Sequence, residues 1–544
     1  MEEVGKVLGT ADAQPLDYWL AVPEDQVVQL DDVVAVQRQL PDGRQVDIYG
    51  VVDTVVARHE GARLESDVFL AHRGVLPLNH AVKAHVMVTR VEPEIFVPPL
   101  PGDPVVSAEG ALRDQALFFD SMKERFVLGV SRDRQVVWGN FDFLNGNRGA
   151  HVNISGISGV ATKTTYASFL LYGIFHRQGL LAGAEKANTH ALIFNVKGED
   201  LLFLDRENAN LQPEQRELYA TLDLPVQPFD SVSLYAPVRR GEEVLIADTG
   251  SRSEGVTAYC WTVEEFCRER YLRFLFADAD DESSHLGAVI DRVENVLARD
   301  QNAWQCESFD ELKQYIEALI SGGFGATAQG TVMAFLRRLE AAAARVGHLI
   351  RGRVEDPARQ RIDWKRKQVT VVDIHNLHDR AKRFVIGVTL KRMFEDKEKS
   401  GSARPLIFVV LDELNKYAPR EGWSPIKDVI LDMAERGRSL GVILIGAQQT
   451  ASQIERRVVA NSSFRVVGRL DTAEAQYGEY GFLPAATRAR SGILKPGTMI
   501  VSQPEIPIPL LIQFPFPAWA TRPSEAKVTA AVAADPFARF DRKR

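Results

Sequence analysis

The sequence predicts a mixed α/β protein with a small β-barrel at its front, and three observations predict it. Residues 1–95 are rich in valine, alternate with polar residues and carry turn signals, as short antiparallel strands do. Residues 151–165, H-V-N-I-S-G-I-S-G-V-A-T-K-T-T, read as a strand that meets a glycine-rich turn and then a helix. Residues 405–413, P-L-I-F-V-V-L-D-E, hold six consecutive apolar residues that end in two carboxylates. A continuous apolar run of that length suits a central parallel strand buried on both faces.

In chain order, residues 1–100 form the expected barrel, with strands at 27–36, 45–56 and 84–91 and a hairpin turn at Pro41-Asp42-Gly43. Residues 97–102, V-P-P-L-P-G, read as a linker. Residues 101–256 form the first part of the core, with the glycine-rich turn, an apolar helix over 166–175, a strand at 191–196 that ends at Lys197-Gly198-Glu199-Asp200, and a strand near 243–247. Residues 257–365 read as a helical insertion, because 288–297, 309–320 and 331–350 carry apolar residues at helical spacing. Ser321-Gly322-Gly323-Phe324-Gly325 interrupts it. The core resumes over 366–515: a strand at 368–374, a helix at 380–394, the carboxylate strand, a helix at 425–435, and strands at 441–447, 462–470 and 497–513. Pro504, Pro507 and Pro509 mark the last of these as an edge or brace. Residues 516–544 read as a C-terminal tail or brace.

Composition narrows the class. The 544 residues are 45% hydrophobic and 25% charged, ordinary for a globular protein of several domains. The net charge of −8 means that any nucleic-acid contact needs a locally positive surface. Cys260, Cys267 and Cys306 show no C-x-x-C pairing, which fits a reducing cytoplasm and argues against a zinc ribbon or a disulfide framework. The acidic start, Met1-Glu2-Glu3, shows no signal peptide, and no apolar run reaches the length of a membrane span.

The chemistry-bearing residues cluster at strand ends. Gly156 and Gly159 let backbone N–H groups turn inward, Lys163 supplies a cation for phosphate charge, and the hydroxyls of Thr164 and Thr165 stand at a helix N-terminus where Mg²⁺ can be held. Ser158 and Thr162 complete the turn. Lys163 lies seven residues after Gly156, one more than the common phosphate-loop spacing, and an ordinary glycine-rich turn has the same outline. Asp412 is placed to hold Mg²⁺ through water, and Glu413 to polarise an attacking water. Gln448, after the strand G-V-I-L-I-G-A, can sense a γ-phosphate or simply cap its strand. Arg436 and Arg438, in an expected tight turn, are candidates for a finger on that phosphate, or solvated surface arginines.

Taken in order, these pieces resemble the HerA family of hexameric DNA translocases, in the FtsK/HerA branch of P-loop ATPases. The residues that carry the resemblance are 156–165, N-V-K-G-E-D (195–200), V-V-L-D-E (409–413), E-R-G-R-S-L-G (435–441) and G-A-Q-Q-T (446–450). It implies a RecA-like P-loop ATPase core beside the barrel and the helical insertion. It further implies a cytoplasmic homo-hexamer, with no membrane association, that encircles double-stranded DNA and moves along it by ATP hydrolysis. A NurA-type nuclease partner, acting with it in DNA end resection and repair, is also implied. By motif, Lys163 and Thr164 would hold phosphates and Mg²⁺, Asp412 the metal, Glu413 the water, and Gln448 the sensing role. Arg438 best matches the family's arginine, with Arg436 next, and Arg148 would reach a neighbouring subunit's nucleotide. Two departures stand out: the lengthened loop, and Asn195 where relatives often carry Asp. Some relatives serve in phage-defence complexes. A nucleotide-binding assembly scaffold with little turnover, and a motor for another polymer, are the rival readings.

Overall fold

The computed structural model describes residues 2–526 except 63, 77–78, 158–162, 178, 182–183, 243, 253, 277–283 and 322–328. The chain divides into two compact units, Met1–Ala182 with Ile445–Phe514, and Gly183–Leu444 with Pro515–Arg544.

The first unit opens with the barrel. Strands β1 (Glu3–Val7), β2 (Asp17–Val22), β3 (Val33–Gln39), β4 (Gln45–His59), β5 (His80–Glu92) and β6 (Pro104–Ser107) close in the order β1-β2-β5-β4-β3-β6. The alternation seen in the sequence is what fills it: Tyr18, Leu20 and Val22 of β2 point inward with Val34 and Val36 of β3 and Val46 and Ile48 of β4. The turn at Pro41-Asp42-Gly43 joins β3 to β4, with Gly43 at φ +85°. Residues 27–32, expected as strand, are not: Val27 is 81% exposed. Residues 97–102 connect β5 to β6, so the barrel closes past the expected linker.

After β7 (Arg125–Val130) and β8 (Val136–Asn140) comes β9 (Val152–Ser155), the strand that feeds the glycine-rich turn. The helix Lys163–His176 follows, three residues earlier than expected, with 166–175 largely apolar all round and buried. The unit is completed by the end of β17 (Val442–Gln448) and by β18 (Phe464–Val467), β19 (Thr498–Gln503) and β20 (Ile506–Gln513). β9 lies between β17 and β18 and is parallel to both. β18, β19 and β20 then run antiparallel. β20 is not an edge strand, since it stands between β19 and β7, but it meets β7 only at Gln513 with Val130, and Pro507 and Pro509 are paired on neither side.

The second unit holds β10 (Thr189–Asn195), β11 (Val232–Pro237), β12 (Val256–Tyr259), the two-residue pair β13 (Trp261–Thr262) and β14 (Ile350–Arg351), β15 (Val369–Asp373) and β16 (Leu406–Asp412). Its sheet is parallel, in the order β12-β11-β15-β10-β16. Every residue of β15 and β16 is buried, the signature of strands covered on both faces. The strand expected near 243–247 lies upstream instead, as β11; Val244 is 69% exposed and Ala247 makes only an isolated bridge to Val238. Helices Ser284–Leu297, Phe309–Ser321 and Gln329–Val346 build the helical block around Val293, Leu312, Ile316, Phe335 and Leu339. Residues 516–526 are not a loose tail. Asn208 donates to the Pro517 carbonyl (3.0 Å), Tyr219 to that of Phe516 (3.1 Å), and Trp519 is buried. No helix among the described residues is long and apolar enough to cross a membrane.

Candidate functional site

In the first unit, the start of the glycine-rich turn is clamped between two strand ends. Gly156 N–H donates to the Gln448 carbonyl at the tip of β17 (3.2 Å), and Ile157 N–H donates to the Arg469 carbonyl beyond β18 (2.8 Å). Gly468 N–H closes the clamp on the Ser155 carbonyl (2.8 Å). A Cβ at residue 156 would lie 3.3 Å from the Arg469 oxygen and 3.4 Å from Gly468 Cα, a tight fit that favours glycine. Lys163 opens the helix, is 5% exposed, and reaches back across the turn to donate to the Gly156 carbonyl at 2.6 Å. Thr164 and Thr165 follow it, half-buried in the first helical turn. Ser158, Gly159 and Thr162 lie outside the described residues.

Gln448 differs from the expectation. Its side chain is fully buried, and its amide donates to Asn153 Oδ1 (2.8 Å) and Ser155 Oγ (3.0 Å) on β9. The exposed amide at this strand end is that of Gln449. Gln448 thus touches the turn through β9 instead of presenting itself to solvent.

In the second unit, β16 ends in Asp412, which is 5% exposed. Glu413 follows with φ +56°, a left-handed conformation that a non-glycine residue rarely keeps unless its surroundings impose it. Asp412 Oδ1 accepts from Glu413 N–H at 2.8 Å. Two lysines grip the Glu413 carboxylate: Lys197 at 3.0 Å from Oε1 and Lys416 at 2.6 Å from Oε2. Lys197 also lies 3.5 Å from Asp412 Oδ2. Burial pushes the Glu413 carboxyl up, but the bonds from Lys416 and Lys197 outweigh it and hold the group below the usual carboxylate range.

Of the residues that place Lys197, Asn195 was singled out in the sequence, but its partners were not. Asn195, the last residue of β10, donates to Gly198 O and to Asp373 Oδ1, each at 2.9 Å. Asp373 ends the neighbouring β15 and is met by His375 Nδ1 at 2.9 Å. Burial pushes Asp373 up, and the adjacent carboxylate pushes His375 up. On the far side, Glu199 accepts from the N–H groups of Gly250 (2.5 Å) and Ser251 (2.8 Å). The loop carrying Lys197 is therefore tied at both ends. The motif N-V-K-G-E-D was visible in the sequence; its pairing with Asp373 was not, because the two segments meet only through sheet order. Lys416 had a local signal, three residues after Glu413 at the start of a short helix.

The arginines sit elsewhere than expected. The helix Pro425–Leu440 continues through both, so they occupy its last turns and not a tight turn. Gly437 is buried inside the helix, and the stop comes at Gly441, φ +68°. Arg436 pairs with Glu398, and Asp432 lies 3.8 Å away. Arg438 is exposed on the same helix. Arg148 is exposed in the loop before β9, its N–H bonded to the Asp142 carbonyl at 2.8 Å. Among the described residues no group of three or more His, Cys, Asp or Glu converges as a metal cage. Mg²⁺ in phosphate chemistry is commonly held by one or two side chains together with phosphate oxygens, and Thr164 and Asp412 are of the right kind for that.

No protein-family model matches the chain, and no curated protein sequence does. Solved structures do resemble it. VirB4 of Thermoanaerobacter pseudethanolicus aligns over 72% of this chain and 96% of its own, with 14% identity and a TM-score of 0.43. The plasmid coupling protein TrwB in complex with ADP and Mg²⁺ aligns over 74% and 97%, with 11% identity and a TM-score of 0.43. The genome packaging NTPase B204 from Sulfolobus turreted icosahedral virus 2 aligns over 27% and 69%, with 15% identity and a TM-score of 0.21.

Proposed function

We propose that this chain is an ATP-driven translocase on double-stranded DNA, a RecA-like P-loop ATPase of the HerA kind that works as a homo-hexamer. The observation that carries the reading is Glu413. A buried strand delivers it beside Asp412, in a backbone conformation that costs energy to keep, with its carboxylate ionised and gripped by two cations.

In this reading Lys163 exchanges the Gly156 carbonyl for phosphate oxygens, and the helix N-terminus shares the negative charge. Thr164 and Asp412 are the residues proposed for Mg²⁺, which would supply neutralisation of phosphate charge. Glu413 orients and deprotonates the attacking water. A carboxylate held below its ordinary pKa is a weak base, so Glu413 gains basicity when Lys197 or Lys416 lets go. Arg438, exposed near the end of its helix, is the first candidate for the cation supplied to a neighbouring subunit, and Arg436 the second. Arg148 is the candidate on the other side of such a contact. A NurA-type nuclease and a role in end resection complete the proposal.

The grip on Glu413 also favours a second reading, a scaffold that binds nucleotide and turns it over slowly. ATPase activity of the purified protein with and without duplex DNA separates the two. The motor predicts stimulation by DNA, and a flat, low rate at all DNA concentrations would leave the scaffold.

A further inference from the structure

The Lys197 ammonium stands between two carboxylates, 3.0 Å from Glu413 Oε1 and 3.5 Å from Asp412 Oδ2. Exposure divides these partners unequally. The Lys197 side chain is 44% exposed, whereas those of Asp412 and Glu413 are 7% and 14% exposed. The lysine can leave for water at little cost, because ion pairs of half-exposed side chains are weak. The carboxylates cannot be left in the same way, since a buried anion without a cation beside it is strongly destabilising. The pair therefore needs a cation, and nothing in this geometry requires that cation to be an ammonium. Lys416 has a different place. It meets Glu413 Oε2 at 2.6 Å from the short helix Leu414–Tyr417, and among the described residues no ion pair joins it to Asp412.

The backbone under Lys197 is pinned. Asn195 donates to the Gly198 carbonyl and to Asp373 Oδ1, and Lys382 donates to the Val196 carbonyl at 3.3 Å. Glu199 accepts from the N–H groups of Gly250 and Ser251. Gly198, at φ +60°, makes the tight turn that this anchoring needs. Freedom is thus confined to the long side chain itself. An ammonium that lets go stays within a side chain's length of the carboxylates, and returns when nothing else neutralises them.

We propose that Lys197 is a displaceable counter-ion of the Asp412–Glu413 pair, which yields its place to a divalent cation and retakes that place when the cation leaves. This rests on the reading of Asp412 as a metal residue and of Glu413 as the base. The donors suit the exchange, because hard divalent cations take carboxylate oxygens. Lys197 is then a positioning residue that acts through Glu413. It grips the base in the resting protein and releases it on metal entry, so Glu413 is withheld from water until the metal is in place.

The test uses the full chain without nucleotide and Mn²⁺ alone, with free Mn²⁺ read by electron paramagnetic resonance. The site is the binding that Asp412→Asn removes. Lys197→Met keeps an unbranched side chain and deletes the charge. If the ammonium holds the pair about nine-tenths of the time, its removal should tighten Kd roughly tenfold, because apparent affinity scales with the competent fraction. Lys197→Arg keeps a cation and should stay close to the parent. Lys416→Met deletes an equal charge and should gain far less in about 0.5 M KCl, where general electrostatics is screened. A second readout follows the lysine directly. Acetylation of Lys197 by an amine-reactive ester, mapped by peptide mass spectrometry, should speed up on adding Mg²⁺ to the parent. Lys313, paired with Glu340 in the helical block, is the reference that should not change. A Lys197→Met affinity within about twofold of the parent, an equal gain in Lys416→Met, or labelling of Lys197 that ignores saturating Mg²⁺ would overturn the proposal. Mn²⁺ binding that Asp412→Asn leaves intact, in the parent and beside Lys197→Met, would instead remove the carboxylate pair from the metal site and sink the metal reading itself.

Discussion

If Glu413 is the base proposed above, it is held in a state that it must leave in order to act. Its two lysines keep it ionised, and ionised carboxylates paired this closely are poor bases. Replacing Lys416 with Met removes the closer cation and lets the carboxyl pKa climb back toward its ordinary value. The acid limb of the rate–pH profile should then move to higher pH, since activity needs the deprotonated form and that form is lost earlier on acidification. A limb that stays in place would show that another group controls it. Glu413→Gln should keep nucleotide binding and lower turnover by about 10²–10⁴-fold, the usual size of a lost general base. Retained turnover in a steady-state assay would remove Glu413 from the chemistry. Lys163→Ala should abolish turnover by weakening nucleotide binding, measured by titration, because the buried ammonium is the cation aimed at the turn.

At the scale of elements, the two ends of the helix Pro425–Leu440 show why its neighbourhood was only half readable. Ser424 accepts from Lys427 N–H and Pro425 begins the helix, both visible as start signals. Gly437 looked like the stop because a glycine between two arginines resembles a turn. It is a packing residue, and the real stop, Gly441, was assigned to the following strand. A methyl group at 441 would overlap the Ala403 carbonyl as well as occupy the left-handed region. Gly441→Ala should therefore cost about 2–4 kcal/mol in denaturant unfolding, and a loss under 1 kcal/mol would show that Ala403 can yield.

The barrel offers a second element-level prediction. His85 on β5 lies 2.7 Å from Asp53 on β4 and 3.2 Å from Asp17 on β2. The Asp53 bond pushes the imidazole pKa up, against burial. A raised folded pKa stabilises the protonated form. This stability is complete below the unfolded histidine's pKa and is lost as pH rises through the folded one. Thermal melting should show the parent losing more stability than His85→Asn between pH 5.5 and 8.5, and equal losses would remove His85 from the account. The strand run 406–412 and the turn-to-helix join at Lys163 were legible because each is coded within one stretch of chain. The Asn195–Asp373–His375 group and the buried Tyr480–Glu474 hydrogen bond were not. In the first of these, Asn195 and Asp373 end neighbouring strands far apart in the chain, and only strand order brings them together; the second is a bond across a turn with no sequence signature of its own.

For the whole molecule, a ring motor predicts a mass six times that of the chain by light scattering and ATPase activity that falls with dilution of the oligomer. DNA binding should weaken steeply with salt and show little sequence preference, since a protein of net charge −8 must hold phosphates through a confined basic lining. A fully active monomer would count against this assembly. The path of the chain has a consequence for how the protein is made. β9, which carries the phosphate turn, takes both of its neighbours from far downstream: Val152 pairs with Ile445 on one side and Phe464 on the other. A ribosome needs on the order of 15–60 s to cover that stretch at about 5–20 residues per second. Throughout that interval β9 is a newborn strand with two open edges, and the first unit cannot mature while the second is still being synthesised. The part of the chain that would hold the phosphates is thus among the last to be finished, and its bare edges are where a nascent copy is most exposed to pairing with the wrong neighbour.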